Sequence, residues 1–315
     1  MIAYRCFRND DPPRLAEVWR AADLGPAGFQ PMTAAWLESC AFSKPYFDRA
    51  GLIVAVEGER PVGFAHAGFG PNADRSGLST AVGTTMLVVV VPHDHHEEIA
   101  AGLLARSEDY LAAHGAGAIM GGGTPDLGGF YLGLYGGSNL PGILDSSATM
   151  QGVFRRAGYL EADRIAVLRR PLAGFRPPVG RGQLAIRRAT TLRVIAEPAR
   201  RTWWEAATTT GVALRRYEIR DTAEALLGAV TFWDVQPLAT AWGVTTTGLL
   251  GVAIEGGKRR QGLASYLVAE ALHDLAQEGV TLVETHVSQS NEAATKLFFK
   301  LGFEATAHGT LFRRP

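Results

Sequence analysis

The stretch GGKRRQGLASYLVAEAL, residues 256–272, joins an apolar segment to one whose apolar residues recur at helical spacing. GLLGVAIE at 248–255 predicts a buried strand, and QGLASYLVAEALHDLAQEG at 261–279 predicts a helix. Because the first N–H groups of a helix are unpaired and its N-terminus is partially positive, this position favours a phosphate. Gly262 removes a side chain that would hold a phosphate away from the backbone. The stretch therefore predicts a diphosphate-binding loop.

Two other phosphate-binding patterns do not match this loop. A P-loop lysine is followed by Ser or Thr, whereas Arg259 follows Lys258, so an enzyme acting on nucleotide phosphates is disfavoured. A dinucleotide site needs G-x-G-x-x-G at the helix start, which is also missing. The remaining pattern, RRQGLA at 259–264, resembles the R/Q-x-x-G-x-G/A pyrophosphate loop of the GCN5-related N-acetyltransferases.

A second motif supports this resemblance. After the strand-like segment TLVETHV comes NEAATKLFFKLGF at 291–303. In the same family a strand is followed by N-x-x-A-x-x-L-Y-x-x-x-G-F. The matching positions here are Asn291, Ala294, Leu297, Gly302 and Phe303. With two motifs in the family's order, residues 184–315 resemble one domain of that family.

The resemblance implies acetyl-CoA as a co-substrate. In the family two central parallel strands separate, and the pantetheine arm lies between them, beside the strand that precedes the loop. The residues that the resemblance assigns to acetyl-CoA are Val252, Ala253, Ile254, Arg259, Arg260, Gln261, Gly262, Leu263, Ala264, Ser265, Asn291 and Phe298.

The reaction implied by the resemblance is attack of a neutral amine on a thioester, which calls for a base. His286 is the candidate, because it lies on the second separated strand and an ordinary histidine has a pKa of about 6.5, so it can take up a proton at neutral pH. A sheet histidine that is hydrogen-bonded to a neighbour explains it equally well. Glu284, on the same strand face, is the reserve candidate.

The sequence departs from the family at one position that bears on catalysis. The family's tyrosine, the usual proton donor to the CoA sulfur, is Phe298 here. Water, Tyr266 or Ser288 would then protonate the thiolate, or the thiolate leaves with little acid help. The departure also keeps open an alternative, a non-catalytic CoA-binding pseudoenzyme or scaffold.

The acceptor site is expected in two aromatic-rich segments, RTWWEAATTT at 201–210 and TFWDVQ at 231–236. Asp234 would attract an amine cation, although core packing explains the tryptophans as well. The expected substrate residues are Trp203, Trp204, Trp233 and Asp234. The acceptor is a primary amine of a small molecule or peptide, whose identity the sequence does not specify.

The chain also contains an internal repeat. VFRRAGYLEADRIAVLRRPL at 153–172 and FFKLGFEATAHGTLFRRP at 298–315 both give a helix end, Gly with an aromatic residue, and a strand closing on Arg-Arg-Pro. Each half opens on a predicted strand, IAYRCFR at 2–8 and LAIRRAT at 184–190. The pattern predicts an α/β fold of two similar domains, each with a mixed sheet. The resemblance implies that these are two tandem acyl-CoA N-acyltransferase (GNAT) domains, each with a mixed, mostly antiparallel sheet flanked by helices. The boundaries are a degenerate N-terminal domain at 1–172, a linker at 173–183 and the acetyl-CoA-binding domain at 184–315.

The first half lacks the basic loop. In MLVVVVPHDHHEEIAAGLL, at 86–104, Asp94 and Glu97 are placed to cap the helix in the manner of a capping box, so the chain supplies its own anions. The neighbouring histidines have no cysteine beside them, and we expect no metal site. The Gly- and Tyr-rich segment 121–147 is expected either to line an acceptor pocket or to pack against the other half.

Composition limits the remaining classes of function. The chain has 315 residues, is 47% hydrophobic and has a formal net charge of +0, which does not favour nucleic acid or a membrane surface as a partner. Its two cysteines form no disulfide framework, and its N-terminus does not resemble a secretory signal. We therefore expect a cytoplasmic protein. The oligomeric state is not specified.

Overall fold

A computed structural model describes residues 1–22, 24–25, 28–124, 126–235, 239 and 242–315. The chain divides into two compact units that do not follow sequence order. Unit 1 contains Met1–Ala166, Arg200–Gly211 and Ala307–Pro315, and unit 2 contains Val167–Ala199 and Val212–Thr306. The boundaries predicted at 172 and 184 divide the sequence into its two repeats and not into these compact units, so they remain a prediction.

Strands and helices alternate along the chain. The strands are β1 (Ile2–Cys6), β2 (Leu52–Glu57), β3 (Arg60–Pro71), β4 (Leu78–Val90), β5 (Ala118–Gly121), β6 (Ile143–Leu144), β7 (Leu160–Pro171), β8 (Thr190–Ala196), β9 (Leu214–Asp221), β10 (Leu226–Asp234), β11 (Thr246–Ile254), β12 (Leu282–Ser288) and β13 (Glu304–Arg313). The α-helices that lie wholly within the described residues are α1 (Pro12–Ala21), α2 (Ala34–Leu37), α3 (His96–Ala113), α4 (Ala148–Arg156), α5 (Arg181–Ala189), α6 (Trp203–Thr208), α7 (Leu263–Gln277) and α8 (Glu292–Lys300).

Unit 1 contains a mixed sheet. Strands β1 to β4 pair antiparallel in chain order, and β5 joins β4 in parallel. The end of β13 pairs antiparallel with β5 and β6. Helix α3 packs on β3 and β4, and its Leu103 is fully buried.

Unit 2 repeats this plan. Strands β8 to β11 pair antiparallel in chain order, and β12 joins β11 in parallel. The 167–171 part of β7 lies next to β12. Helix α7 packs on β9, β10 and β11. The apolar residues whose spacing predicted this helix are all buried: Leu263, Leu267, Ala271 and Leu275. The predicted fold class, a mixed and mostly antiparallel sheet flanked by helices, is confirmed.

One predicted strand is wrong. The segment 184–190 forms most of helix α5, and the strand begins only at Thr190. The segment has no strict apolar–polar alternation, and Leu, Ala and Arg are good helix formers. Gly180, in extended conformation, precedes the first helical residue. The short apolar pattern did not distinguish a strand from a helix.

None of the helices in the described residues is long and apolar enough to cross a membrane.

Candidate functional site

Strands β11 and β12 pair over only part of their length. Their parallel register runs from Thr246 opposite Leu282 to Leu249 opposite Thr285. At the last pair, the Thr285 hydroxyl donates to the Leu249 carbonyl at 3.0 Å. The next residue, Leu250, is skipped in the register between β10 and β11, which is a β-bulge. Because a bulge bends its strand, β11 is turned away from β12 at this point.

A cleft of about 930 Å³ lies where the two strands separate. Its volume is in the range of small-molecule and cofactor sites. The cleft is lined by β11, the loop after it, the first turn of α7, the end of β12, and α8. The lining residues are Leu249, Leu250, Gly251, Val252, Ala253, Ile254, Lys258, Arg259, Arg260, Gly262, Leu263, Ala264, Ser265, Thr285, His286, Val287, Ser288, Asn291, Ala293, Ala294, Lys296, Leu297, Phe298 and Lys300.

The loop from β11 to α7 has the features of an anion site. Gly262 has a φ of +82° and directly precedes the helix, which has no side-chain cap and no acidic residue in its first turn. Its first N–H groups are therefore left for an anion. Lys258, Arg259 and Arg260 are exposed in the same loop, and Arg260 has a φ of +61°. A strained conformation at a non-glycine residue is typical of ligand-binding loops.

The residues expected to bind acetyl-CoA all line this cleft except Gln261. The Gln261 amide instead donates to the Gly257 carbonyl at 3.4 Å, because the turn directs it back along the loop. Asn291 is the N-cap of α8, where its side chain accepts the Ala294 N–H at 3.1 Å. Phe298 is buried against Phe303.

Two further cations in the cleft were not expected from the sequence. Lys296 and Lys300 lie one turn apart on α8, and both line the cleft. Lys296 also pairs with Glu292 at 2.8 Å. Their helical spacing was a usable signal, because residues four apart share a helix face. The cleft is thus basic along both its loop and its α8 side.

His286 and Glu284 have different surroundings although they share a strand face. The His286 side chain is 4% exposed and lines the cleft, whereas the Glu284 side chain is fully buried and is not part of its lining. His286 Nε2 lies 3.2 Å from one Glu284 oxygen. The other Glu284 oxygen accepts a hydrogen bond from Arg169 Nε at 2.6 Å. Among the described residues, His286 Nδ1 has no hydrogen-bond partner.

The two side chains considered as substitutes for the missing tyrosine, Tyr266 and Ser288, line different pockets. Tyr266 lines a different groove, which α7 forms with the linker and α5, and burial raises its pKa. Ser288 lines the cleft, two residues beyond His286 on the same strand face. Its oxygen lies 2.6 Å from the Ser290 oxygen.

The four residues expected to bind the acceptor do not form one surface in either unit. Trp203 and Trp204 lie on α6 in unit 1, where Trp204 is buried and packs on Tyr46. Trp233 and Asp234 line a cavity of about 300 Å³ in unit 2. This cavity includes Thr247 near the start of β11, whereas the large cleft lies at the other end of that strand. Gln236, at the end of the expected segment, lies outside the described residues.

In unit 1 the strands that correspond to β11 and β12 do not separate in the same way. After β5 ends, Gly122 N–H still donates to the Thr85 carbonyl at 2.8 Å, and Gly123 N–H donates to the Met86 carbonyl at 3.1 Å. Gly122 and Gly123, at the start of the segment 121–147, thus continue the pairing along β4. Its aromatic residues are buried within the unit, and the Tyr131 hydroxyl lies 2.8 Å from His66 Nδ1. These side chains pack within unit 1.

The expected capping box in unit 1 is wrong. Helix α3 begins at His96 with His95 as N-cap, and no side chain caps it. Glu97 forms an ion pair with Arg156 at 2.8 Å, because α4 brings that guanidinium within reach. The first turn of the helix still carries Glu97 and Glu98, so its negative charge would repel a phosphate. Within the described residues, no group of three or more His, Cys, Asp or Glu side chains is placed to hold a metal ion.

Comparisons with known proteins agree with this geometry. Residues 187–303 match the model of the acetyltransferase (GNAT) family. Among curated proteins, none matches the chain.

Solved structures similar to the chain extend over both units. A tandem GNAT protein from the clavulanic acid biosynthesis pathway is 15% identical, with 99% of this chain and 98% of that chain covered and a TM-score of 0.66. A GCN5-related N-acetyltransferase from Sphaerobacter thermophilus is 15% identical, with 100% and 96% covered and a TM-score of 0.65. A GCN5-related glucosamine N-acetyltransferase region of a fungal multi-domain GH3 beta-N-acetylglucosaminidase is 16% identical, with 99% and 38% covered and a TM-score of 0.72.

Residues 187–303 are therefore a domain of the acetyltransferase (GNAT) family, and the chain has the fold of tandem proteins of this family. Proteins of this family generally bind acyl-CoA and transfer its acyl group to an amine.

Proposed function

We propose, from the membership of residues 187–303 in the GNAT family, that this protein is an acetyl-CoA-dependent N-acetyltransferase that works in the cleft of unit 2. The observation that carries the proposal is the separation of β11 from β12 beside an uncapped helix start. A free strand edge, unpaired N–H groups and a basic rim together fit a long ligand with an apolar arm and phosphates at one end. Acetyl-CoA is such a ligand.

The residues present fit the pantetheine arm and the diphosphate of this co-substrate. Within the part of the chain that the structure describes, residues 250–254 of β11 have no strand partner on their β12 side, and they would pair with the pantetheine arm. The start of α7 would receive the diphosphate, and Arg259 and Arg260 would neutralise its charge. When bound, the thioester supplies an activated acetyl carbon. Its transfer forms a new C–N bond, breaks the C–S bond, and releases a thiolate.

His286 is the base in this proposal. Its Nδ1 is buried, has no partner among the described residues and belongs to a side chain that lines the cleft. It would accept the proton that the amine loses through one bridging water or after a small movement of the ring. Glu284 is less suited to that role, because it is buried away from the cleft and already engages Arg169 and His286. Ser288, which lines the cleft on the same strand face, is the remaining side-chain candidate for returning a proton to the thiolate.

Unit 1 is proposed not to bind acetyl-CoA. The backbone of Gly122 and Gly123 is bonded to β4 beyond the end of β5, where the corresponding strands of unit 2 have separated, and the first turn of α3 is acidic. Both features oppose a bound diphosphate. The primary amine acceptor of a small molecule or peptide, and a cytoplasmic location, remain expectations from the sequence.

One observation favours the alternative of a CoA-binding pseudoenzyme. Phe298 stands in the position of the family's tyrosine and is buried against Phe303. Because its ring has no hydroxyl, it supplies no proton. The test is a screen of primary amines with acetyl-CoA, measuring free thiol release, for the wild type and for His286→Gln. We expect transfer that falls about 10²–10⁴-fold in the variant. Acetyl-CoA binding without transfer to any amine would favour the pseudoenzyme.

A further inference from the structure

The side chain of Glu284 connects two strands of unit 2. One of its oxygens lies 3.2 Å from His286 Nε2 on its own strand, and the other accepts from Arg169 Nε of β7 at 2.6 Å. Glu284 is fully buried, and the Arg169 side chain is 28% exposed. The guanidinium of Arg169 also lies over the ring of Trp242, with its central carbon 4.2 Å from the ring centre. His286 and Glu284 of β12 and Arg169 of β7 thus form one continuous chain of polar contacts, and Trp242 packs on its arginine end.

The physical chemistry of a buried carboxylate explains why Arg169 is needed. An ionised carboxylate inside a protein is stable only if it is paired and hydrogen-bonded. Arg169 provides a charged donor at hydrogen-bond distance, and Trp242 packs on the face of its guanidinium. Arg169 therefore stabilises the negative charge that Glu284 presents to the imidazole.

The charge on Glu284 fixes the state of His286. A carboxylate only accepts hydrogen bonds, so the ring nitrogen facing it, Nε2, carries the hydrogen. The other nitrogen, Nδ1, then has its lone pair available. Nδ1 is also the atom that lacks a partner among the described residues. The tautomer set by Glu284 is the one that a base in this cleft requires.

We propose that Glu284 and Arg169 are positioning residues that set the tautomer and charge of His286 as the base for acetyl transfer. The inference rests on the proposed function for the role of the base. Arg169 comes from the first half of the sequence, before the predicted linker, yet it belongs to unit 2. The site of the GNAT domain is therefore incomplete without a residue that lies outside residues 187–303.

The charged groups near His286 determine how its protonation responds to a substitution. The acidic side chain in contact with His286 is Glu284, and Arg169 contacts Glu284 from the neighbouring strand. The other charged side chains lining the cleft in the described residues are all cationic, from the loop and from α8: Lys258, Arg259, Arg260, Lys296 and Lys300. A substitution of either Glu284 or Arg169 changes the charge near His286 and leaves the five cationic side chains of the cleft in place.

The two substitutions are expected to act in opposite directions. Glu284→Gln keeps the size and an acceptor oxygen but removes the charge that favours the imidazolium, so the acid limb of the kcat/KM profile moves to lower pH. Arg169→Gln removes the positive charge next to the carboxylate and so favours the imidazolium, and the limb moves to higher pH. We expect roughly one pH unit in each direction. A role in folding alone would move neither limb.

The experiment compares wild type, Glu284→Gln, Arg169→Gln and Arg169→Lys with two readouts. The first is the pH profile of transfer. The second is the pH titration of the His286 ¹³Cε1 resonance without acetyl-CoA, identified by its absence in His286→Asn. Arg169→Lys keeps the charge and should titrate like the wild type. If Arg169→Gln does not fold, the shift in Glu284→Gln to lower pH decides alone. The matched control is Arg170→Gln, because the adjacent arginine lies against Phe175 instead.

The outcomes separate this inference from the proposed function. Opposite shifts in both readouts, with Arg170→Gln unchanged, support the positioning role. Shifts of Glu284→Gln and Arg169→Gln in the same direction, or no shift in folded Glu284→Gln, would overturn it. If the wild type transfers acetyl to no amine, the proposed function fails. The resonance titration still decides whether Glu284 and Arg169 control His286.

Discussion

Gly262 is the residue at which the loop turns into α7. Its φ of +82° lies in the left-handed region, and an added Cβ would meet only Ile186 at 3.6 Å. Gly262→Ala therefore strains the backbone without a severe clash, and we expect a loss of about 1–2 kcal/mol in the free energy of unfolding. The new methyl also stands at the helix start, so acetyl-CoA affinity should fall at least tenfold. Thermal unfolding and calorimetric titration measure the two effects.

Gly257→Ala is the matched control for this prediction. Gly257 lies in the same loop with no protein atom close to an added Cβ, and it does not have a positive φ. We expect nearly unchanged stability and affinity. Equal losses in the two alanine variants would show that the loop tolerates no side chain anywhere, and that the helix start has no special role.

The residues of the cleft differ in how far the sequence reveals them. Arg259, Arg260 and Gly262 are close together in the chain, so their spacing carries the signal. Arg169 is 115 positions from Glu284 and shares no motif with it. Pairing between strands brings the two together, and a single sequence does not show that pairing.

At the scale of elements, the segment 121–147 closes the region of unit 1 that corresponds to the cleft. Gly128 has a φ of +142°, and an added Cβ would overlap the Met86 sulfur. Because the core of unit 1 has no room there, we expect Gly128→Ala to lower the free energy of unfolding by about 1–3 kcal/mol. Acetyl-CoA affinity should not change, since the cleft lies in unit 2.

The control is Gly115→Ala, which has a similarly positive φ of +79° but open space around its Cβ. It should cost only the backbone strain, about 1–2 kcal/mol. Denaturant unfolding gives both values, and titration gives the affinities. A loss of acetyl-CoA binding in a folded Gly128→Ala protein would contradict the assignment of this segment to packing.

Long periodic elements were predictable, and short ones were not. The helical face of Leu263, Leu267 and Leu275 identified α7 from its spacing alone. The segment 184–190 is too short for its period to be decisive, and it forms helix α5 instead of a strand. The separation of β11 from β12 was expected only through the family resemblance. Its local cause, the bulge at Leu250, has no sequence signature here.

At the scale of the molecule, each unit is built from both halves of the sequence. Unit 1 requires 200–211 and 307–315, and unit 2 requires 167–172 from the first half. If a protease site is inserted after Val179, which is 83% exposed, cleavage should leave both fragments co-eluting under native conditions. They should separate only in denaturant. Fragments that separate in native buffer would contradict this composition of the units.

The repeat in the sequence predicted two similar halves but not this distribution of the chain. Both halves end in a strand closing on Arg-Arg-Pro, and that pattern says nothing of which sheet each strand joins. In the structure the end of β13 pairs with β5 and β6, and the end of β7 lies beside β12. Strand order depends on long-range contacts, so a motif-based boundary could not reveal it.

The central claim is that one cleft, in unit 2, binds acetyl-CoA. Calorimetric titration of acetyl-CoA into the wild type, Arg260→Glu and the control Arg313→Glu tests it most directly. We predict one site per chain, retained in Arg313→Glu and lost in Arg260→Glu, where the new carboxylate would repel the diphosphate. Two sites per chain would contradict the account of unit 1, and no binding to the wild type would contradict the acetyl-CoA cleft itself.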